Sequence, residues 1–298
     1  MHAMQTPPSR VQGDPSMNYS ADFGQAGLKP AHFSAFRDFL EQACGIYLAE
    51  NKQYLVTTRI IPLLSHHGLN DLGELVQHLA SNRYSTLRDI VIDAMTTNET
   101  FWFRDTYPFD VLKSQVLPEL AKNQGSIHIW SAACSSGQEP LSISMSVEES
   151  SRAAGDRLGV NVSILGTDLS PSMLKVARAA TYDKTSVMRG LSAERLHTYF
   201  DQLPENMWRA KPQVSQRIQY RALNLQESFG GLGKFDVVFC RNVLIYFSNE
   251  LKFDILSRIH RVLKPNGVLF LGASEGLGGA AEFFEMVHCN PGILYRAK

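Results

Sequence analysis

Beyond Gly125 the chain changes its grammar. Short runs rich in β-branched and aromatic residues, Ile127 to Trp130, Val160 to Gly166, Gln219 to Leu223, Phe235 to Cys240 and Val268 to Leu271, alternate with segments of helical periodicity. Strands that alternate with helices bury both sheet faces when the strands run parallel and helices cover them, so the C-terminal half is an α/β layer structure. The end of the chain breaks the alternation: Glu282 to Cys289 and Ile293 to Ala297 read as strands joined by Asn290-Pro291-Gly292, a turn short enough only for an antiparallel hairpin. Between Thr181 and Arg217 the periodicity weakens and charges gather with Pro204 and Pro212, which marks an insertion outside the repeating unit.

Before the sheet the pattern is helical from Ala31 to about Met95. Phe33, Phe36, Phe39, Leu40 and Cys44 recur every three to four residues, the period of one buried helix face, and Gly45, Gly68 and Ser81-Asn82 punctuate the segment. A second helix is expected over about Asn51 to His66, where Lys52, Arg59 and His66 share a stripe. That stripe reads either as a solvated basic face or as a docking surface for an acidic partner. Ile90 to Leu117 reads as a helical connector broken around Thr96 to Thr100, with Pro108 interrupting a second helix near its first turn. Residues 1–30, rich in Pro, Gly, Ser and Gln, form a tail with no apolar core of signal-peptide length.

Composition excludes several classes. Lys plus Arg and Asp plus Glu number 29 each, so no global field draws in nucleic acid or a membrane surface, and charged recognition must be local. Four dispersed cysteines, Cys44, Cys134, Cys240 and Cys289, form no CxxC pair; a reducing cytoplasm and no metal are expected. No apolar run is long enough to span a bilayer.

In an open doubly wound sheet the ligand lies outside the carboxyl ends of the strands. After the first strand stand Ser131 to Pro140, a run of small residues with one glycine, a turn that also serves plain helix and sheet packing. The GxGxxG spacing of a dinucleotide site is missing, which points to a ligand without phosphates. After the second strand stands Asp168, which either accepts both hydroxyls of a ribose or caps the next helix. Ser170, directly before Pro171, is the better cap. Asn224 and Leu225 follow the next strand, placed to frame an adenine, and Cys240 to Phe247 follow the fourth. Together these imply a nucleoside cofactor without phosphates, most simply S-adenosylmethionine.

Three stretches, Thr97 to Arg104 (TNETFWFR), Trp130 to Pro140 (WSAACSSGQEP) and Phe239 to Phe247 (FCRNVLIYF), in that order and spacing, resemble the chemotaxis receptor glutamate O-methyltransferases, the CheR family. The resemblance covers about Ala31 to the end. It implies a helical N-terminal receptor-recognition domain (31–95), a connector (96–123) and a Rossmann-like class I methyltransferase domain (124–298) with an antiparallel C-terminal hairpin and a small β subdomain at about 181–217. It implies S-adenosylmethionine as cofactor, S-adenosylhomocysteine as product, and methyl transfer to glutamates on the cytoplasmic helices of chemoreceptors by a cytoplasmic protein, monomeric, with no direct membrane insertion. Carried over by position, Asn98, Thr100, Arg104, Ala133, Glu139, Asp168, Asn224, Leu225, Asn242 and Val243 form the cofactor pocket, and Tyr246 lines the methyl channel. Gln138 stands where the family often has the first of two acids, so the hydroxyl and amino-group contact falls on Glu139. Phe200 to Trp208 is short and lacks glycine, like members that do not tether a receptor pentapeptide. Arg104 is the expected grip on the substrate carboxylate, and Arg37, Lys52 and Arg59 the expected readers of an acidic substrate helix. Two other readings share this fold: a methyltransferase for RNA or another carboxylate, and a non-catalytic adaptor that binds the cofactor.

Overall fold

The structure is a computed structural model and describes residues 28–81, 85–155 and 159–298. Most of the tail expected over 1–30, and Asn82 of the Ser81-Asn82 break, lie outside the described residues. Five helices come first: α1 (Pro30–Cys44), α2 (Gln53–Arg59), α3 (Ile61–His66), α4 (Leu72–Ala80) and α5 (Ser85–Met95). Phe33, Phe36, Leu40 and Cys44 of α1 bury the face their spacing requires, against Leu72, Leu75 and Leu79 of α4 and Val91 and Met95 of α5. A left-handed Gly45 (φ +77°) ends α1, and a side chain there would collide with Leu251.

The helix expected over Asn51 to His66 is not continuous. Lys52 lies in a 3-10 turn, the chain breaks at Ile60, and Pro62, which lacks an N–H, starts α3 afresh. The Lys52, Arg59, His66 stripe therefore does not form as one face.

Tyr107–Val111 (α6) and Leu117–Ala121 (α7) are one helical run with a π segment at Leu112–Val116 between them. Pro108 opens this run rather than interrupting it. The sheet comes next, with α8 (Gln138–Ala153), α9 (Pro171–Ala179) and α13 (Asn249–Val262) on its faces. Its strands are β1 (Ser126–Ala132), β2 (Asn161–Asp168), β6 (Ile218–Ala222), β7 (Phe235–Cys240), β8 (Leu263–Leu271), β9 (Phe284–His288) and β10 (Ile293–Ala297). They lie in the order β6-β2-β1-β7-β8-β10-β9, parallel through β8 and antiparallel at the β10 and β9 hairpin. The order reverses between β1 and β7, so the crevice opens over the carboxyl ends of these strands. Strand β8 begins five residues before the apolar run at Val268. Its polar start is held by Lys264, which pairs with the buried Asp236 at 2.8 and 2.9 Å.

The stretch of weak periodicity is a folded subdomain. Strands β3 (Thr181–Asp183), β4 (Phe200–Leu203) and β5 (Met207–Ala210) make a three-stranded antiparallel sheet, accompanied by the short helices α10 (Lys184–Met188), α11 (Ala193–Tyr199) and α12 (Pro212–Ser215). Buried Trp102 packs edge-on against Tyr182 and Phe200, and its indole N–H donates to the Ser186 carbonyl at 3.1 Å. Gly190 (φ +94°) lies so close to this joint that an added Cβ would sit 2.2 Å from the Trp102 carbonyl oxygen. Gly190→Ala is therefore expected to lose more than the ~1–2 kcal/mol of a left-handed alanine, read as a fall in thermal midpoint. Among the described residues no helix is long and apolar enough to cross a membrane.

Candidate active site

A cleft opens over the switch point, and Cys44, Ile46 and Met95 from the N-terminal part complete its wall. The turn after β1 needs small side chains because Ala133 (φ +57°) and Ser135 (φ +50°) are both left-handed. Three bonds hold it there: Cys134 N–H to the Thr167 carbonyl at 2.9 Å, Ser135 N–H to Asp168 Oδ2 at 2.7 Å, and Ser135 Oγ to the Asn98 carbonyl at 3.0 Å.

Asp168 ends β2 and is buried, with Oδ1 accepting the Ser170 N–H at 2.8 Å. Burial raises its pKa from the usual aspartate range, and the amide hydrogen bonds only partly offset that. Ser170 caps α9 by accepting the Met173 N–H at 3.1 Å, which leaves Asp168 to the cleft. Ser170 also bonds Asp93 of α5, and Ser172 reaches the same carboxylate at 3.1 Å, so the helical part is fastened beside the acid.

Glu139 sits in the first turn of α8 with its pKa raised by burial, opposed by Arg241 and by Ser131, whose hydroxyl donates at 2.8 Å. The Arg241 guanidinium is almost wholly buried. It donates to Glu139 Oε2 at 3.0 Å, to Asp105 at 2.7 Å and to the Arg104 carbonyl at 2.7 Å, while its Nε has no partner among the described residues. One cation thus joins the helix after β1, the end of β7 and the linker. In that linker Phe103, Asp105 and Thr106 all have positive φ, a strained path held by these bonds and by Phe103 N–H on Ser142 Oγ at 3.1 Å. The Arg104 guanidinium lines the cleft near Glu139, donating to the Glu99 carbonyl at 3.1 Å with Phe101 beneath it.

The remaining expected residues, Asn98, Thr100, Ala133, Asn224, Leu225, Asn242, Val243 and Tyr246, line the same cleft. Asn224 departs from its expected task of framing an adenine through its amide: the amide donates to the Ala43 carbonyl of α1 at 2.9 Å and accepts the Gln226 N–H at 3.1 Å, fastening the helical part to the sheet. Asn242 (φ +59°) starts a turn that Glu275 holds in place, its carboxylate accepting the N–H groups of Asn242, Leu244 and Gly272 at 2.6–2.8 Å. The turn carries Tyr246, whose carbonyl accepts the Tyr47 N–H at 2.8 Å.

Three residues expected to read a substrate helix are differently placed. Lys52 is exposed on its turn, over the Tyr54 ring. Arg37 is mostly covered, over Phe33 and 3.8 Å from Glu50. Arg59 is turned inward: its guanidinium donates to the Met95 and Thr96 carbonyls, both at 3.0 Å, and so caps the end of α5. Sequence reasoning passed over Arg241, which directly follows β7, and Glu275, which lies four residues beyond the end of β8, as site residues. An arginine directly after a wholly buried strand needs an acid, and that was the available signal. Burial raises the pKa of Cys134 and Cys240 well above the usual range and pushes Cys44 up to about 11, so all three stay thiols at neutral pH. Among the described residues no group of His, Cys, Asp and Glu is arranged to hold a metal.

A sheet of this order, with a turn after β1 that lacks the GxGxxG spacing and an acid at the end of β2, defines a Rossmann-like, S-adenosylmethionine-dependent methyltransferase. The chain belongs to the CheR methyltransferase family: the family's all-alpha domain matches residues 31–96 and its SAM binding domain residues 98–293. It is 56% identical to Chemotaxis protein methyltransferase 1 of Pseudomonas aeruginosa over 270 residues, 90% of this chain and 98% of that one. It is 53% identical to Chemotaxis protein methyltransferase Cher2 of Pseudomonas putida, over 89% of this chain and 98% of that one. The protein is thus an S-adenosylmethionine-dependent methyltransferase of chemotaxis.

Proposed function

We propose that this protein methylates glutamate side chains on the cytoplasmic helices of chemoreceptors, giving methyl esters. The observation that carries the reading is the Arg104 guanidinium in the same cleft as Asp168, Glu139 and Tyr246, where a cation can present a carboxylate to the cofactor. The chemotaxis relatives and the family match supply the class of substrate.

The site's chemistry fits S-adenosylmethionine. Asp168 offers oxygens to the ribose hydroxyls, Leu225 and Val243 offer apolar walls to the adenine, Glu139 lies opposite for the amino group, and the unpartnered Arg241 Nε–H suits a carboxylate. Asn98, Thr100, Ala133, Asn224 and Asn242 complete the pocket around these groups. Bound, the cofactor supplies a sulfonium methyl that passes to a carboxylate oxygen while the S–CH3 electron pair stays on sulfur, so no proton moves. A glutamate side chain in water titrates at about pH 4.3, so the substrate arrives ionised and the protein needs no general base. Arg104 holds the carboxylate by its planar fork and Tyr246 narrows the approach to the methyl. A grip too tight on the ground state would slow the reaction. Lys52, at the surface, favours encounter with an acidic helix, and of the three expected readers it best keeps that role.

Tritiated S-adenosylmethionine with a receptor cytoplasmic fragment tests the reading: base-labile label on the fragment supports it, while cofactor binding without transfer supports an adaptor. Arg104→Ala is expected to lower kcat about 10²-fold or more, with less change in cofactor affinity. Because burial raises the Asp168 pKa, its carboxyl takes up a proton at a higher pH than an ordinary aspartate. Cofactor affinity should be full above that folded pKa and fall as pH drops through it, and Asp168→Asn should weaken binding and flatten this dependence in calorimetry.

A further inference from the structure

The Arg189 loop of the β subdomain is built onto the rim of the cleft. The Arg189 carbonyl accepts the Trp102 N–H at 3.1 Å, which ties this residue to the linker that carries Arg104. Its guanidinium lies 5.5 Å from the centre of the Phe101 ring, and that of Arg104 lies 5.4 Å from the same ring. Glu99 touches both arginines. Its backbone carbonyl accepts from Arg104 and its carboxylate accepts from Arg189 at 3.0 Å. Phe101 and Glu99 line the cleft, whereas the side chains of Glu99 and Arg189 are 64% and 52% exposed.

We infer that Arg189 is a specificity-determining residue that binds an acid flanking the methyl-accepting glutamate, and that Glu99 holds this place when substrate is absent. The inference rests on the reading of the substrate as an acidic helix. An ion pair this exposed adds little to stability and exchanges readily, so an incoming carboxylate can replace Glu99. Two guanidinia beside one ring suit acids one to two turns apart on a helix, a rise of about 5–11 Å. With Arg59 turned inward, Arg189 supplies a cation next to Arg104 that the α2 stripe does not.

Initial rates are measured against concentration of a receptor cytoplasmic fragment for wild type, Arg189→Ala, Arg189→Lys and Glu99→Gln, with cofactor affinity measured by calorimetry. Arg189→Ala should raise KM for the fragment about five- to tenfold, with kcat and cofactor affinity near wild type. Arg189→Lys, which keeps the charge but not the fork, should fall between. Glu99→Gln, which removes the competing carboxylate, should lower KM. An unchanged KM in Arg189→Ala, or a loss of cofactor affinity equal to the rise in KM, overturns the inference while leaving glutamate methylation standing. If wild type itself esterifies no fragment, the substrate reading fails and this inference fails with it.

Discussion

Arg241→Met is expected to lower stability by about 3–5 kcal/mol and to abolish measurable cofactor binding, because it strands the largely covered Glu139, its side chain 13% exposed, without its cation. The guanidinium is 1% exposed and its bonds reach Glu139, Asp105 and the Arg104 carbonyl, so the linker bearing Arg104 loses its anchor as well. The defect should ease in acid. Glu139 already titrates above its usual range in the folded protein, and without Arg241 its pKa rises further. At low pH it enters the fold neutral, and the penalty of the lone charge disappears. Pairing the change with Glu139→Gln should restore much of the stability at neutral pH but not cofactor binding. Urea denaturation and calorimetry on the same samples separate the two effects.

Asp168→Ala is the second large effect, with the cofactor dissociation constant expected to rise about 10²- to 10⁴-fold. Two ribose hydroxyl bonds to a charged acceptor are at stake, each contributing about 1.5–3 kcal/mol. The same change releases the Ser135 and Ser170 amides that the carboxylate holds at 2.7 and 2.8 Å, and so loosens a turn whose left-handed residues need support. Affinity equal to wild type would contradict the placement of the ribose at β2.

The features legible in the sequence were those set by short-range pattern. Strand β7 is buried throughout and β1 and β2 are buried toward their carboxyl ends, and such strands announce themselves. The strand-end rule then brought Asp168 into view, and the family resemblance added Glu139 and Tyr246. Long-range partners were what escaped. Arg59 looks like a surface cation until the end of α5, 36 residues on, brings carbonyls that lack donors. Asn224 looks like a ligand group until α1, 181 residues earlier, presents the Ala43 carbonyl. Glu275 has no local signature, because the amides it collects belong to Asn242, Leu244 and Gly272, which only the sheet assembles. The break at Ile60 was foreshadowed by Pro62, but the strength of the apolar spacing hid it.

The most direct measurement is a structure of the protein with S-adenosylhomocysteine bound. The ribose hydroxyls should lie on Asp168, the adenine between Leu225 and Val243, and the sulfur should face the channel between Arg104 and Tyr246. A nucleoside bound elsewhere, or an Arg104 guanidinium turned away from the sulfur, would contradict this description of the site.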